Sequence, residues 1–401
     1  MRAKGPIGPL AMAAVIFVTA IAACSTVSTG SEAVACNSPG VSADEVRIGF
    51  VFSDSGAGSG ALSPSRAGVD ARLGLANEEG GIHGRRIEYV MRDDETSLSR
   101  NARAVKELVG KKSVFGLVAA TVTLNDAMVQ LDEQQVPVVG LAAEATWAAH
   151  PNMFSFIYTD SPGAVARYVG STGGTRAGIV ITGTAPSTLE LAAKYTDSLR
   201  AVGVASELVP FSAASDSPVR TVRQLAEKGV NALIGLSTLD DLAAIMQAAR
   251  DEHLDLAASV ALSGYDRQLL ATTGPKISGL SFPVYFRPFE AGGAAIDRYR
   301  EAVARFAPEI GQPDRQMAMF GYIYTDIFLR GLELAGSCPT REVFISALRN
   351  VTHYDAGGLI SPVSFRDNAG ESNPCAAIVQ INAAGDAFDV VRERICSDGV
   401  G

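Results

Sequence analysis

The stretch NEEGGIHGRRIEYVMRDDE, Asn77 to Glu95, compresses a helix end, a glycine turn and a strand into one short run. Gly80 and Gly81 stop what precedes them, because glycine is a poor helix residue and a ready turn residue. Arg86 to Arg92 then places Ile87, Tyr89 and Met91 on alternate positions, which predicts a strand, with Asp93 and Asp94 at its carboxyl end. Upstream, Pro64 to Asn77 puts Val69, Leu73 and Ala76 on one helical face, with Ser63 as the expected cap and Pro64 in the first turn. VRIGFVF, Val46 to Phe52, reads as the strand before that helix. Strand, crossover helix and strand form a βαβ unit, so the two strands lie parallel.

The alternation continues along the chain. Strands are expected at Val114 to Ala119 and Val136 to Leu141, and helices at Ser99 to Val109 and Leu124 to Glu133. Asp160-Ser161-Pro162-Gly163 reads as a boundary. Beyond it, strands are expected at Gly178 to Thr182, Ser206 to Phe211, Ala232 to Leu236, Ala258 to Leu262 and Gly279 to Phe286. The helices of this set are Leu189 to Val202, Val219 to Glu227, Leu239 to Glu252 and Asp266 to Thr273. Three more helices, Ala294 to Phe306, Gln316 to Leu334 and Arg341 to Asn350, lead to a hairpin over Ala376 to Val391. A chain of 401 residues with 47% hydrophobic content exceeds one usual core. The expected fold class is therefore α/β, two doubly wound Rossmann-like lobes. Residues 41–160 with 287–355 are assigned to lobe I, and 161–286 with 356–398 to lobe II.

Arg2 and Lys4 precede an uncharged run, Leu10 to Ala23, which is too short to span a bilayer comfortably and suits a signal peptide over residues 1–23. The run ends Ile21-Ala22-Ala23-Cys24, which resembles the lipobox of bacterial lipoproteins. That resemblance implies a lipidated Cys24 and an exported protein, anchored to the outer face of the cell membrane or periplasmic. Residues 24–40 are small, polar and aperiodic, as in a tether. Cys36, Cys338, Cys375 and Cys396 remain, and an even number in an exported chain predicts two disulfides. Three pairings exist; Cys338 with Cys375 is expected because both flank the closing segments. No C-x-x-C occurs and the four histidines lie far apart, so neither a metal site nor a cofactor is expected. A net charge of -9 argues against nucleic acid or an anionic lipid surface as a partner.

SDSGAGSGALSPSRAG, Ser53 to Gly68, lies where a strand's carboxyl end meets a helix N-terminus, a place that favours an anion. The nucleotide fingerprints fail there: the glycines fall well before the helix, and no Gly-Lys-Ser/Thr follows. The Asn77 to Glu95 pattern of helix end, Gly-Gly-Ile-x-Gly-Arg, strand and Asp-Asp instead resembles the leucine/isoleucine/valine-binding family of bacterial solute-binding proteins. The resemblance continues in order through VRIGFVFSDSG, VFGLVAATVT, QQVPVVGLAAEAT, GYDRQLLATTG and FGYIYTDIFLRGLELAG. It covers the chain from Val41 to the final hairpin. It implies two lobes joined by a multi-strand hinge, the type I periplasmic binding protein fold, in a monomeric receptor that feeds an ABC transporter permease.

In that family the solute sits between the lobes, at the carboxyl ends of strands. The loops that this places at the cleft carry Ser53, Asp54 and Ser55; Ala120 and Thr121; Ala142 and Glu144; Thr184; and Ser237, with Tyr265 and Tyr285 either as walls or as core or hinge aromatics. Thr121 corresponds to a hydroxyl that binds the solute's carboxylate, and the same residue suits capping of the helix near Leu124. Ser187 and Thr238 likewise suit caps. Glu144 fits three roles: pairing with an amine, repelling a carboxylate, or facing solvent. Trp147 is expected behind its loop or over the cleft. TGTAPST replaces the Asp and Tyr-Gly usual in amino-acid binders, so the solute class, an amino acid or related amide, is the expectation least tied to residues here.

Enzymes supply the rival class, but no G-x-S-x-G, no His-Glu-x-x-His and no His paired in a loop with Ser or Cys occurs. No catalytic residue is expected. A sensor of the same fold, reporting to a signalling partner, is the other alternative.

Overall fold

The computed structural model describes residues 36–144, 146–158, 161–183, 186–367 and 374–399, with Met1 and Gly5; of Pro186 and Ser187 it describes the backbone alone. The expected signal peptide, Cys24 and most of the tether lie outside the described residues. Val34–Gly401 form one compact unit.

Five strands make the first sheet: Glu45–Phe52 (β1), Arg86–Asp93 (β2), Leu117–Ala120 (β3), Val138–Gly140 (β4) and Met153–Phe154 (β5). They are all parallel, in the order β2-β1-β3-β4-β5. The glycine turn delivers β2 to β1 with Val46 opposite Ile87 and Phe52 opposite Asp93. Gly81 has φ +72, and a Cβ there would lie 1.9 Å from the Arg85 carbonyl oxygen, so the turn requires glycine. Alternate residues of β1 enter opposite cores. Ile48, Phe50 and Phe52 face the cluster under helices Ser65–Glu78 and Gln316–Leu334, while Val51 joins Val105, Leu117 and Met128 on the other face. A sheet buried on both faces explains the near-continuous apolar run of VRIGFVF.

The second sheet contains Arg176–Ile181 (β6), Ala205–Pro210 (β7), Ala232–Leu236 (β8), Ala258–Ala261 (β9), Leu280–Val284 (β10), Cys375–Ile381 (β11) and Phe388–Cys396 (β12). Its order is β12-β11-β10-β9-β8-β6-β7, parallel from β10 to β7, with the final hairpin antiparallel against β10. The late helices return to the first sheet: Ala294–Phe306 and Gln316–Leu334 both pack on Ser65–Glu78. The chain thus passes between the sheets three times, after β5, after β10 and before β11. At the tightest crossing, a Cβ on Gly68 would lie 1.8 Å from the Ala318 oxygen, and one on Gly321 would lie 2.1 Å from the Ser65 oxygen.

Two expectations need correction, the cap and the disulfide pairing, and two elements were unforeseen. Ser63 does not cap the first long helix: a helical turn at Ser59–Leu62 precedes it, Pro64 occupies the cap position, and no side chain caps it. Directly after the expected boundary a helix that the sequence did not reveal, Pro162–Ser171, begins, capped by Ser161 accepting from the Ala164 N–H at 3.4 Å. β5 is too short for periodicity to reveal. The disulfides join Cys36 to Cys338 and Cys375 to Cys396. Cys375 lies directly across the hairpin from Cys396, with Cα atoms 4.0 Å apart, which leaves Cys338 to Cys36. Beside the Cys36–Cys338 bridge, the buried Arg85 guanidinium donates to the Ser42 and Ser337 carbonyl oxygens at 2.8 and 2.6 Å.

Candidate functional site

At the carboxyl end of β1, the glycine-rich loop already holds an anion of its own. The Asp93 carboxylate accepts from the backbone N–H groups of Asp54, Ser55 and Glu95 at 3.0, 3.3 and 2.8 Å, and from the Ser55 hydroxyl at 2.6 Å. Burial works to raise this carboxyl, but those hydrogen bonds outweigh it and hold the group below its usual value. The cradle suggested by the sequence is therefore filled by the adjacent aspartate.

Asp94 organises the next loop. Its carboxylate accepts from the Ser53 hydroxyl at 2.7 Å, the Thr96 N–H at 2.9 Å, the Asn101 amide at 2.9 Å, the Thr123 hydroxyl at 3.0 Å and the Thr121 hydroxyl. Ser53, Asp94, Asn101 and Thr121 are all 0% exposed. Burial again works upward and the hydrogen bonds downward, leaving the Asp94 carboxyl below its usual value. Thr121 is thus directed inward, and it also accepts from the Thr123 N–H at 3.1 Å. The helix that follows is capped from elsewhere. Glu144 Oε1 accepts from the Leu124 N–H at 2.7 Å, so this side chain turns in rather than facing solvent. Its Oε2 is buried without a hydrogen-bond partner, and burial, with the nearby Asp94 charge, pushes the carboxyl up despite the bonded N–H groups.

The second lobe repeats the device. Asp241, 5% exposed, accepts from the Thr182 hydroxyl at 2.5 Å and the Ala213 N–H at 2.7 Å, while Thr238 caps the helix Leu239–Asp251 by accepting from the Asp241 N–H. A buried carboxylate pins the strand-end loops in each lobe.

A cavity of about 290 Å³ draws its walls from residues of both sheets' strand ends. The first lobe contributes Leu141, Ala142 and Ala143, which follow β4. The second contributes Leu191 and Lys194 from the helix Pro186–Ala201, and Leu262 after β9. Ile157, Tyr158 and Tyr285, from two of the chain crossings, join Gln316 and Phe320 to complete it. An adjoining pocket of about 320 Å³ shares Leu191 and Leu262 and extends along Leu236, Ser237 and Leu239.

Of the residues expected at the cleft, Ala142 and Tyr285 line the cavity and Ser237 lines the adjoining pocket. Tyr285 also accepts the Ser161 N–H at 2.8 Å. Ser53, Ala120 and Thr121 are buried instead, and Asp54 and Ser55 sit on the loop tied to Asp93. Tyr265 is 2% exposed: its hydroxyl donates to Glu290, accepts the Phe289 N–H at 2.8 Å, and its ring stacks on Phe289. Trp147 is buried against the first sheet's outer core. Thr184 and the side chain of Ser187 lie outside the described residues. Leu141, Ile157, Leu191, Lys194, Leu262 and Phe320 were missed. Leu141 and Leu262 end apolar runs at strand ends, and Leu191 and Lys194 share one helical face by their spacing, which is the signal that could have found them. Among the described residues, no three His, Cys, Asp or Glu side chains come together to hold a metal, and no helix is long and apolar enough to cross a membrane.

One parallel and one mainly parallel sheet, three crossings and a cavity at the strand ends are matched by sequence: the periplasmic binding protein family aligns over residues 45–386. The chain belongs to the periplasmic binding protein family. Its members are extracytoplasmic binding proteins. No curated protein sequence matches this binding protein. Among solved structures it is similar to a fatty acid ABC transporter substrate-binding protein from Thermomonospora curvata, at 18% identity and TM-score 0.74, covering 90% of this chain and 96% of that one. It is similar to the leucine binding protein LivK of Thermotoga maritima at 17% identity and TM-score 0.70, over 88% and 100% of the chains. LivJ of Streptococcus pneumoniae, a branched-chain amino acid transporter substrate binding protein solved in complex with isoleucine, gives 17% identity and TM-score 0.68 over 87% and 100%. At these identities the likeness is one of fold.

Proposed function

We propose that this binding protein captures a small-molecule solute between its lobes and delivers it to the permease of an ABC importer, a lipid on Cys24 holding it at the outer face of the membrane. The cavity carries this reading. Its walls come from strand ends of both lobes and from the chain crossings, so one occupant touches both lobes and the hinge. A solute bridging both lobes binds the closed arrangement more tightly, and closure follows as a population shift. The amino acid or related amide anticipated from the sequence is one solute class within this proposal. Proteins of this shape include ones named for leucine and one named for fatty acid, so the fold by itself does not choose.

Thermal-shift screening of the unlipidated mature chain, followed by small-angle scattering with each stabilising solute, tests the proposal. A true solute raises the melting temperature, shrinks the radius of gyration and raises ATP hydrolysis by the reconstituted permease. Tight binding that leaves the radius of gyration unchanged would refute capture between the lobes.

A further inference from the structure

The resemblance placed a solute carboxylate on the Thr121 hydroxyl, with Glu144 as a candidate partner for an amine and Asp54 on a cleft loop. None of these side chains lines the cavity. The Thr121 hydroxyl donates to Asp94, and Glu144 turns onto the Leu124 N–H. Among the described residues neither pocket has an acidic side chain in its lining, and the nearest carboxylate to it, Glu190, is already engaged by Lys194. The walls are apolar instead: Ile157 and Phe320 in the cavity, Leu236 and Leu239 in the adjoining pocket, and Leu191 and Leu262 common to both. The polar remainder is hydroxyl and amide groups, with one charge, Lys194.

We propose that the solute is an amphiphilic monocarboxylate. Its apolar chain lies along Leu191 and Leu262, from the cavity into the adjoining pocket, and its carboxylate pairs with the Lys194 ammonium group. This rests on the capture reading above and names the class of solute captured. Lys194 pairs with Glu190 one turn back at 3.2 Å, and both side chains are exposed. Such a pair is weak in water, so a solute carboxylate replaces Glu190 as the cleft closes and excludes water. The two volumes, about 320 and about 290 Å³, share Leu191 and Leu262 in their walls, so an elongated occupant lying along those two residues can reach both.

Calorimetric titration of the unlipidated mature chain with hexanoate, octanoate, decanoate, decanol, leucine and isoleucine tests this. Each added CH₂ strengthens binding about fourfold, so decanoate binds roughly 10²-fold more tightly than hexanoate. Decanol binds at least about tenfold more weakly than decanoate, because it lacks the charge. Lys194→Gln weakens decanoate by about tenfold or more and leaves decanol unchanged. Chain-length dependence with no effect of Lys194→Gln overturns the assignment of the head group. Leucine or isoleucine binding with lobe closure, and none by the chain carboxylates, overturns this inference while the capture reading stands. Closure by no solute of any class overturns the capture reading itself.

Discussion

Replacing Asp94 by alanine removes the acceptor shared by the Ser53, Asn101, Thr121 and Thr123 side chains and the Thr96 N–H. The Thr121 and Thr123 hydroxyls are 3.0 Å apart and can bond each other by rotating. That leaves Ser53, Asn101 and the Thr96 N–H unmet. A buried donor without an acceptor costs about 1–3 kcal/mol, so Asp94→Ala, which strands three, should lose roughly 3–9 kcal/mol. Asp94→Asn should lose only about 1–2 kcal/mol. It keeps one oxygen toward Ser53 and Thr96, and Asn101, whose Oδ1 is buried without a partner, can turn its amide to accept from the new NH₂ group. Urea unfolding followed by circular dichroism measures both, as shifts in midpoint at constant slope. The pH dependence carries a sign. Because the folded-state carboxyl is held below its usual value, its stabilisation is full above the unfolded carboxylate range, about pH 4, and is lost as pH falls through the depressed value. The gap between the parent and Asp94→Asn should therefore narrow on acidification. Asp94→Ala within about 1 kcal/mol of the parent, or a gap that widens in acid, would refute the reasoning.

Gly321→Ala should cost about 3 kcal/mol, because its Cβ would lie 2.1 Å from the Ser65 oxygen and force two helices apart; an unchanged melting temperature sinks that account. Glu144→Gln keeps an acceptor for the Leu124 N–H and removes a buried charge. Since burial raises the folded-state carboxyl, the variant should gain on the parent as pH rises from 4 to 7, and a relative loss over that range contradicts the site's electrostatics. Peptide mapping should recover Cys36 with Cys338 and Cys375 with Cys396, and never Cys338 with Cys375. Replacing Cys36 and Cys338 together by serine should cost roughly 2–4 kcal/mol in an oxidising buffer, and no measurable cost means the bridge does not constrain the fold.

The long elements were legible because periodicity and glycine punctuation act locally: helices Ala294–Phe306 and Gln316–Leu334 begin and end where the sequence places them. Pro162–Ser171 was concealed because its start, Ser-Pro-Gly, is also the wording of a turn. The site was less legible, since the sequence marks which loops meet at strand ends but not which way a hydroxyl points. Thr121 was chosen for its loop and then claimed by Asp94, a residue 27 positions away in the chain. Lys194 went unnoticed because it lies within a helix, and it comes to the cavity together with Leu262, a residue 68 positions on that follows β9.

The bridge from Cys36 to Cys338 spans 302 positions and fastens the first described segment to the residues just after the helix Gln316–Leu334. A pull applied anywhere upstream of Cys36 therefore enters the fold through covalent bonds at the far end of that helix. β1, which starts only at Glu45, is spared the load. If the chain is anchored at Cys24 as proposed, the anchored jaw is the first lobe, which carries both ends of this bridge.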